Sequence, residues 1–377
     1  MNLAPQYRVY ISFFLYSLML GAMFPRLGDM QLKMGVSEGI LGLALIGAPV
    51  GTQISLIFSG PILEKIGYRL SLLILIPFLG FAETLVTLMP TPQLFFFAWL
   101  LGGLAIGAIE IIVNLEADRT EHKIKRRIMN RSHAFWSFGF ATAGLIGGQS
   151  AKWGISPTAQ VLTLAIIVTV LMLVFFHNFE PAAARSTTEG KAPRFAIPTP
   201  GILILVACTL SAMLLEGAGI DWSVIFMRDT FATGPFVNGL AIAFGAYSQG
   251  IVRYFADPFV DRLGPVRFAT ILLVLLGIGT LTVTFSLHAY MALFGFALMG
   301  VGTSAIFPLA MSAAAQRTDR PAATNVAALA QLSFVMFLLG PPLLGFVAEH
   351  FGIRSAFGIG IPLVILSLLT VKSLSPR

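Results

Sequence analysis

The sequence has one cysteine in 377 residues, and charged side chains occupy only 11% of positions, against about 25% in an ordinary soluble domain. A lone Cys208 excludes an intrachain disulfide and a cysteine metal cluster. Scarcity of charge argues against a water-soluble globular enzyme, which needs ionised groups over its surface. Long polar stretches are missing as well. So are the HExxH and GxGD patterns of metal-dependent and intramembrane hydrolases and the GxxxxGK(S/T) loop that holds a nucleotide. An intramembrane enzyme and a nucleotide-driven pump are thereby disfavoured, and neither a metal nor a bound cofactor is expected.

What the chain has in quantity is apolar surface. Hydrophobic residues make up 56% and phenylalanine alone contributes 32, with a mean hydropathy of +0.86. A crossing helix needs about 20 largely apolar residues. Apolar runs separated by Pro, Gly or polar punctuation fall at 9–32, 38–60, 70–89, 94–115, 132–151 and 159–176, then at 200–221, 236–255, 268–287, 290–315, 324–347 and 356–374. The first run is too long for a signal peptide and lacks a small-residue cleavage pattern, so it is expected to be retained as a helix. The pattern predicts an all-α membrane protein with twelve transmembrane helices. Two six-helix bundles, 1–178 and 198–377, are joined by a polar linker at 179–197.

Lys and Arg are distributed unevenly between alternate loops. With the N-terminus inside, 18 of the 24 fall on the cytoplasmic side, the asymmetry that orients membrane proteins. Both termini are expected in the cytoplasm. The net charge of +7 therefore needs no nucleic acid to explain it. The basic cluster from Lys123 to Arg131 lies where topology demands bases, without the interleaved aromatics of a nucleic-acid surface.

The chain also repeats itself. The segment Gly60-Pro-Ile-Leu-Glu64-Lys65-Ile-Gly67-Tyr-Arg69 recurs as Asp257-Pro-Phe-Val-Asp261-Arg262-Leu-Gly264-Pro-Val-Arg267, 197 residues later. The same offset sets Gly144 opposite Pro341 and Gly148 opposite Gly345. Two six-helix halves related by duplication are the economical reading. An acid-base-x-Gly loop between helices two and three, repeated between eight and nine, resembles the signature loop of the major facilitator superfamily. That resemblance spans the whole chain and implies two pseudo-symmetric bundles that alternate access to a central site. The stretches Asn130-Arg-Ser-His133-Ala-Phe-Trp-Ser-Phe-Gly139, Glu216-Gly-Ala-Gly-Ile-Asp221-Trp222-Ser and Gly340-Pro341-Pro342-Leu-Leu-Gly345 look like the YbjJ-type branch, distantly similar to fucose permeases. Two departures stand out: Glu64 where the pattern has Asp, and Asp257 where it has Gly. The loops, through Glu64, Lys65, Gly67 and Arg69 and through Arg253, Asp257, Asp261, Arg262 and Gly264, are expected either to latch the cytoplasmic helix ends in one conformation or to serve only as turns.

An ionisable residue inside a membrane helix is costly and marks a cavity or a partner. Gly103, Gly107, Glu110 and Asn114 share one face of helix four. Glu110 is the first candidate for proton coupling, with a structural pairing to an Arg or to His133 as the alternative. A Glu in helix four is also what resemblance to fucose permeases implies. His133 opens helix five ahead of Trp136 and Phe140, and serves either as a gate or relay or as a helix-end hydrogen-bonding group. Glu216 in helix seven, near Asp221 and Trp222, binds substrate or proton, or else makes a buried interhelical hydrogen bond.

Arg26, three residues before Asp29, holds a substrate or belongs to an outer gate. Arg253 and Asp257, spaced by four, are expected to pair. Gln53, Asn114, Trp136, Trp222, Tyr247 and Gln331 are further candidates for the substrate path, although such groups also act as interhelical glue. Gly139, Ala143 and Gly147, with Gly144 and Gly148 alongside, form a close-packing stripe in helix five. The stripe loosely resembles the glycine-rich fifth-helix motif of proton-driven exporters.

The function expected from the sequence is secondary active transport of a small organic solute, driven by a proton gradient. The protein would act as a monomer in a bacterial inner membrane. A proton-driven exporter, or a lipid scramblase or receptor on the same scaffold, are the alternatives.

Overall fold

The computed structural model describes residues 3–183 and 196–375. Most of the expected linker, with Arg185, Lys191 and Arg194, lies outside the described residues, as do Met1 and Arg377. The described residues form helices and no strand. The first half contains α1 (Pro5–Leu20), α2 (Leu27–Met34), α3 (Glu38–Leu45), α4 (Gly47–Phe58), α5 (Gly60–Ile66), α6 (Tyr68–Leu88), α7 (Pro92–Ile124), α8 (Met129–Lys152) and α9 (Pro157–Phe176). The second contains α10 (Pro200–Asp221), α11 (Ser223–Phe231), α12 (Pro235–Leu263), α13 (Pro265–Thr284), α14 (Ala289–Thr303), α15 (Ile306–Ala315), α16 (Ala322–Phe351), α17 (Ile353–Gly358) and α18 (Gly360–Thr370).

Local chemistry sets the helix starts. Pro occupies the first turn of α1, α7, α9, α10, α12 and α13, where its missing N–H costs nothing. Thr91, Ser156 and Thr199 cap α7, α9 and α10 by accepting from Leu94, Ala159 and Ile202 N–H. Outside the spans, Thr199 Oγ1 also donates to Asp319 (2.8 Å), and Asn325 Nδ2 donates to the same carboxylate (2.9 Å). These bonds hold Asp319 below the usual carboxylate range.

Gly67 and Gly264, the equivalent glycines of the repeated loop, both adopt positive φ, 80° and 75°, a conformation that disfavours any side chain. The two loops differ just before that turn. A break at Ser59 separates α4 from α5, whereas α12 runs unbroken through Asp257 to Leu263.

Ten helical segments are long and apolar enough to cross a membrane, including the broken span from Pro5 to Met34. The two remaining long helices, α8 and α12, are too polar for that criterion. They carry Asn130, Arg131 and His133, and Asn238, Gln249, Arg253 and Asp257. These two pack along one another, so much of their polarity is spent between helices rather than against lipid.

The glycine stripe of α8 resolves into two. A methyl group at Gly144 would lie 3.1 Å from Ile242 and 3.2 Å from the Gly239 oxygen, and one at Gly148 3.2 Å from Gly239 Cα; both glycines therefore face α12. Gly139 faces Phe14 and Ser17, Ala143 abuts Gly21, and Gly147 abuts Pro25, all in the first span. Small residues thus let α8 approach two neighbours closely.

The same logic repeats across the pseudo-symmetry. Gly42 of α3 abuts the Pro341 carbonyl of α16, and Gly345 abuts the Glu38 carbonyl. The α3–α4 span and α16 meet as α12 and α8 do. Their contacts concentrate at α3 and thin out along α4, so the halves are closed at one end. Glu349 adds to the closure by accepting from Ser37 Oγ (3.0 Å) and Gly39 N–H (3.1 Å). Arg228 donates to the Gly28 carbonyl (3.0 Å) and to Gln31 Oε1 (2.8 Å).

Candidate transport site

Behind that closed end lies a cavity lined among others by Trp136, Phe140, Glu216, Gln249, Phe296 and Thr303. Its walls are mostly apolar with a few converging polar groups, the usual build of a small-molecule site. Trp136 stacks on Phe140, with ring centroids 5.3 Å apart and 16° between planes.

Glu216 reaches the cavity from α10 because the apolar face of that helix is spent on α16 and α18. Arg253 Nη2 lies 3.3 Å from Glu216 Oε1, and both side chains are largely buried, at 12% and 16% exposure. Gln249 Nε2, one turn before Arg253, donates to the same Glu216 oxygen (2.9 Å) and to Thr303 Oγ1 (3.2 Å). Ser137 Oγ on α8 donates to Gln249 Oε1 (2.9 Å) and accepts from Arg253 Nη1 (3.1 Å). Arg253 Nε donates to the Ser304 carbonyl (2.9 Å), which is freed by the break between α14 and α15. One guanidinium therefore ties α8, α10, α12 and the α14–α15 break together. A buried pair so completely hydrogen-bonded has the geometry needed to offset its desolvation.

The first half supplies a second cluster. Asn114 Nδ2 donates to Glu110 Oε2 (3.0 Å) and to the Glu110 carbonyl (2.9 Å). The Asn114 amide oxygen faces His133 Nε2 at 3.1 Å, so with this amide orientation that nitrogen carries the proton. Phe13 packs edge-on against the His133 ring at 5.1 Å. Tyr16 turns its hydroxyl toward Glu110, and the charge of Arg253 acts on both Glu110 and His133. The charge of Arg253 thus reaches both clusters.

Several residues singled out from the sequence stand elsewhere. Arg253 pairs with Glu216 instead of Asp257, which is hydrogen-bonded by Asn130 Nδ2. A one-turn spacing permits a local pair, but helix packing brings the Glu216 carboxylate of α10 within reach of Arg253 while Asn130 takes Asp257. Arg26, 4% exposed, binds Asp29 (2.6 Å) and Gln160 (3.1 Å) inside the first half and does not line the cavity. Tyr247 is 57% exposed beside Phe138 and lies outside the cavity lining. Trp222 is wholly buried against Gly345, and the Gln331 side chain accepts from Ala196 N–H next to the linker. Gln53 is half-buried on α4, outside the cavity lining.

Among the loop residues, Asp261 meets Arg127 at 3.4 Å with both side chains exposed. An exposed pair of that kind contributes little. Glu64, Lys65, Arg69 and Arg262 project outward.

Ser137, Thr303, Tyr16 and Glu83 were not among the candidates. Hydroxyls carry no distinguishing pattern in sequence, so Ser137, Thr303 and Tyr16 left no signal there. Glu83 did leave one, as a carboxylate in the middle of the run 70–89.

Comparison with known proteins accounts for the arrangement. The model of the Major Facilitator Superfamily matches residues 9–220 and 204–377. The chain belongs to this superfamily. It is thus a multi-pass membrane transporter and not an enzyme. The transporter is 27% identical to an MFS-type transporter of Yersinia pestis, over 99% of this chain and 95% of that one. It is 30% identical to a transporter of Sinorhizobium fredii, over 95% and 94%. Among solved structures, it superposes on the nucleoside transporter NupG with a TM-score of 0.73 at 14% identity, covering 99% and 98% of the two chains. A D-xylose-proton symporter gives a TM-score of 0.75 at 12% identity, covering 99% and 98%. These likenesses establish the shared fold.

Proposed function

We propose that the protein is a proton-coupled secondary transporter of a small organic solute, working by alternating access between bundles 1–178 and 198–377. In this reading α8 and α12 complete a set of twelve spans. Both termini face the cytoplasm of a bacterial cell, the protein acts as a monomer in the inner membrane, and the proton gradient supplies energy without a bound cofactor. With that orientation the end sealed by α3 and α16 is the outer one, and the structure is the inward-facing state.

The observation that carries the proposal is the linked pair of clusters. A carboxylate in the first half, Glu110, and a cavity carboxylate in the second, Glu216, are both acted on by one arginine, Arg253. Glu216, Gln249, Thr303 and Trp136 form the solute site. Glu110, with Asn114 and His133, takes the proton. Protonating Glu110 changes the charge set against Arg253, and that change biases which way the halves rock. Proton-symporter neighbours, for D-xylose and for fucose in Escherichia coli, share the fold.

A thermal-stability screen of purified protein identifies the solute, because a binder of the folded state raises its apparent stability by mass action. Flux of that solute in proteoliposomes then tests coupling. Glu110→Gln should lower flux driven by a pH gradient by about 100-fold, the usual scale for losing a proton-transfer group, while solute exchange without a gradient persists. Gradient-driven flux at wild-type level in this variant would remove Glu110 from the coupling role.

A further inference from the structure

Glu83 belongs to neither cluster. It lies on α6, wholly buried at 0% exposure, and neither of its carboxyl oxygens has a hydrogen-bond partner among the described residues. An ionised carboxylate without partners is among the costliest groups a protein can bury, whereas the acid form resembles a buried hydroxyl. Its place in the packing is well defined. One turn earlier, Gly80 abuts Met19 of α1 and Ala165 of α9. Glu83 itself faces the backbone of Met23, outside hydrogen-bonding geometry, where the first span is broken between α1 and the turn at Phe24–Arg26.

Titratable groups on the surrounding elements are few. On α1, Tyr16 is buried, and its hydroxyl is also without a hydrogen-bond partner among the described residues. Tyr16 interacts electrostatically with Glu110 of α7 on one side and with Glu83 of α6 on the other. Arg26 at the break is committed to Asp29 and Gln160. The packed helix α9 contributes Gln160 and no titratable side chain. Tyr16 is thus an electrostatic neighbour of both carboxyls, the buried acid near the break in the first span and the candidate coupling carboxylate on α7, with no hydrogen bond joining it to Glu83.

We propose that Glu83 is a second proton-binding site, exchanging its proton with Glu110 through Tyr16. In the inward direction the Glu83 carboxyl gives its proton to the Tyr16 oxygen as the Tyr16 O–H gives its own to the Glu110 carboxylate. Glu83 is left ionised, Glu110 neutral and Tyr16 unchanged. Glu83, beside the break in the first span, loads when the outer gate opens. The proposal rests on the proton-coupled reading above, yet it can be tested without a solute.

Infrared spectra of the full chain in liposomes should contain a carboxylic-acid carbonyl band that Glu83→Gln deletes. If that variant does not fold, Glu83→Asp moves the band and serves the same assignment. On transfer to heavy water the band should shift as its proton exchanges with the inward-open cavity. Tyr16→Phe keeps the ring and its packing but should slow that shift by roughly 100-fold, as expected when a proton-transfer group is removed. Absence of a Glu83 acid band, or an equal exchange rate in Tyr16→Phe, overturns the relay. Either result, with gradient-driven flux intact in the wild type, would leave the coupling reading standing.

Discussion

Arg253→Met should destabilise the folded transporter by about 3 kcal/mol and abolish transport, because it strands Glu216 in a largely buried site without its counter-charge. The cost comes from the orphaned carboxylate and the lost bonds to Ser137 and the Ser304 carbonyl, not from a large net strength of the pair. A second variant separates these contributions. Combining Arg253→Met with Glu216→Leu removes both charges, so most of the stability should return. Transport should not return, since the solute site has lost its polar floor. Thermal unfolding of the two single variants and the double one, with solute flux in parallel, checks this cycle. A double variant no more stable than Arg253→Met would show that the pair is not what holds these helices.

Gly42→Val should trap the protein away from the state in which α3 and α16 touch. A side chain there runs into the Pro341 carbonyl and lies 3.1 Å from Pro342 Cα, and both partners are backbone of α16. Such an obstruction cannot be relieved by rotating a flexible side chain. Overpacking of this kind costs about 1 to 3 kcal/mol. That cost falls only on the conformer in which α3 and α16 touch, so it shifts the two-state balance by roughly 5- to 150-fold. Spin labels on Ser37→Cys and His350→Cys, at the closed ends of these spans, should report a longer separation in Gly42→Val, and flux should fall. An unchanged distance distribution would mean that this contact does not limit closure.

Both expectations concern groups whose importance was only partly visible in the chain. Glu110 and Asn114 were legible as neighbours, because four residues make one helical turn and no other element is needed to bring them together. Glu216 and Arg253 were legible as costly intramembrane charges, but not as partners. They lie 37 residues apart on different helices, and helical spacing favoured Asp257 as the nearer mate. The glycine stripe of α8 was legible as a packing surface, while its division between the first span and α12 was not.

The repeat at 197 residues, the apolar runs and the bias of Lys and Arg are one-dimensional features. They carry fold class, duplication and expected orientation because lipid imposes the same length and polarity on every span. Which buried polar groups meet is a different matter. It depends on how helices rotate and where they break, and those are settled by side-chain packing between distant segments. Tertiary structure therefore placed Arg26 and Tyr247 outside the cavity lining, brought Thr303 to it and Ser137 to the Arg253 network, and left Glu83 buried beside a broken helix. A carboxylate's cost is written in the sequence, but only the surrounding packing decides whether an arginine, a tyrosine or nothing at all stands next to it.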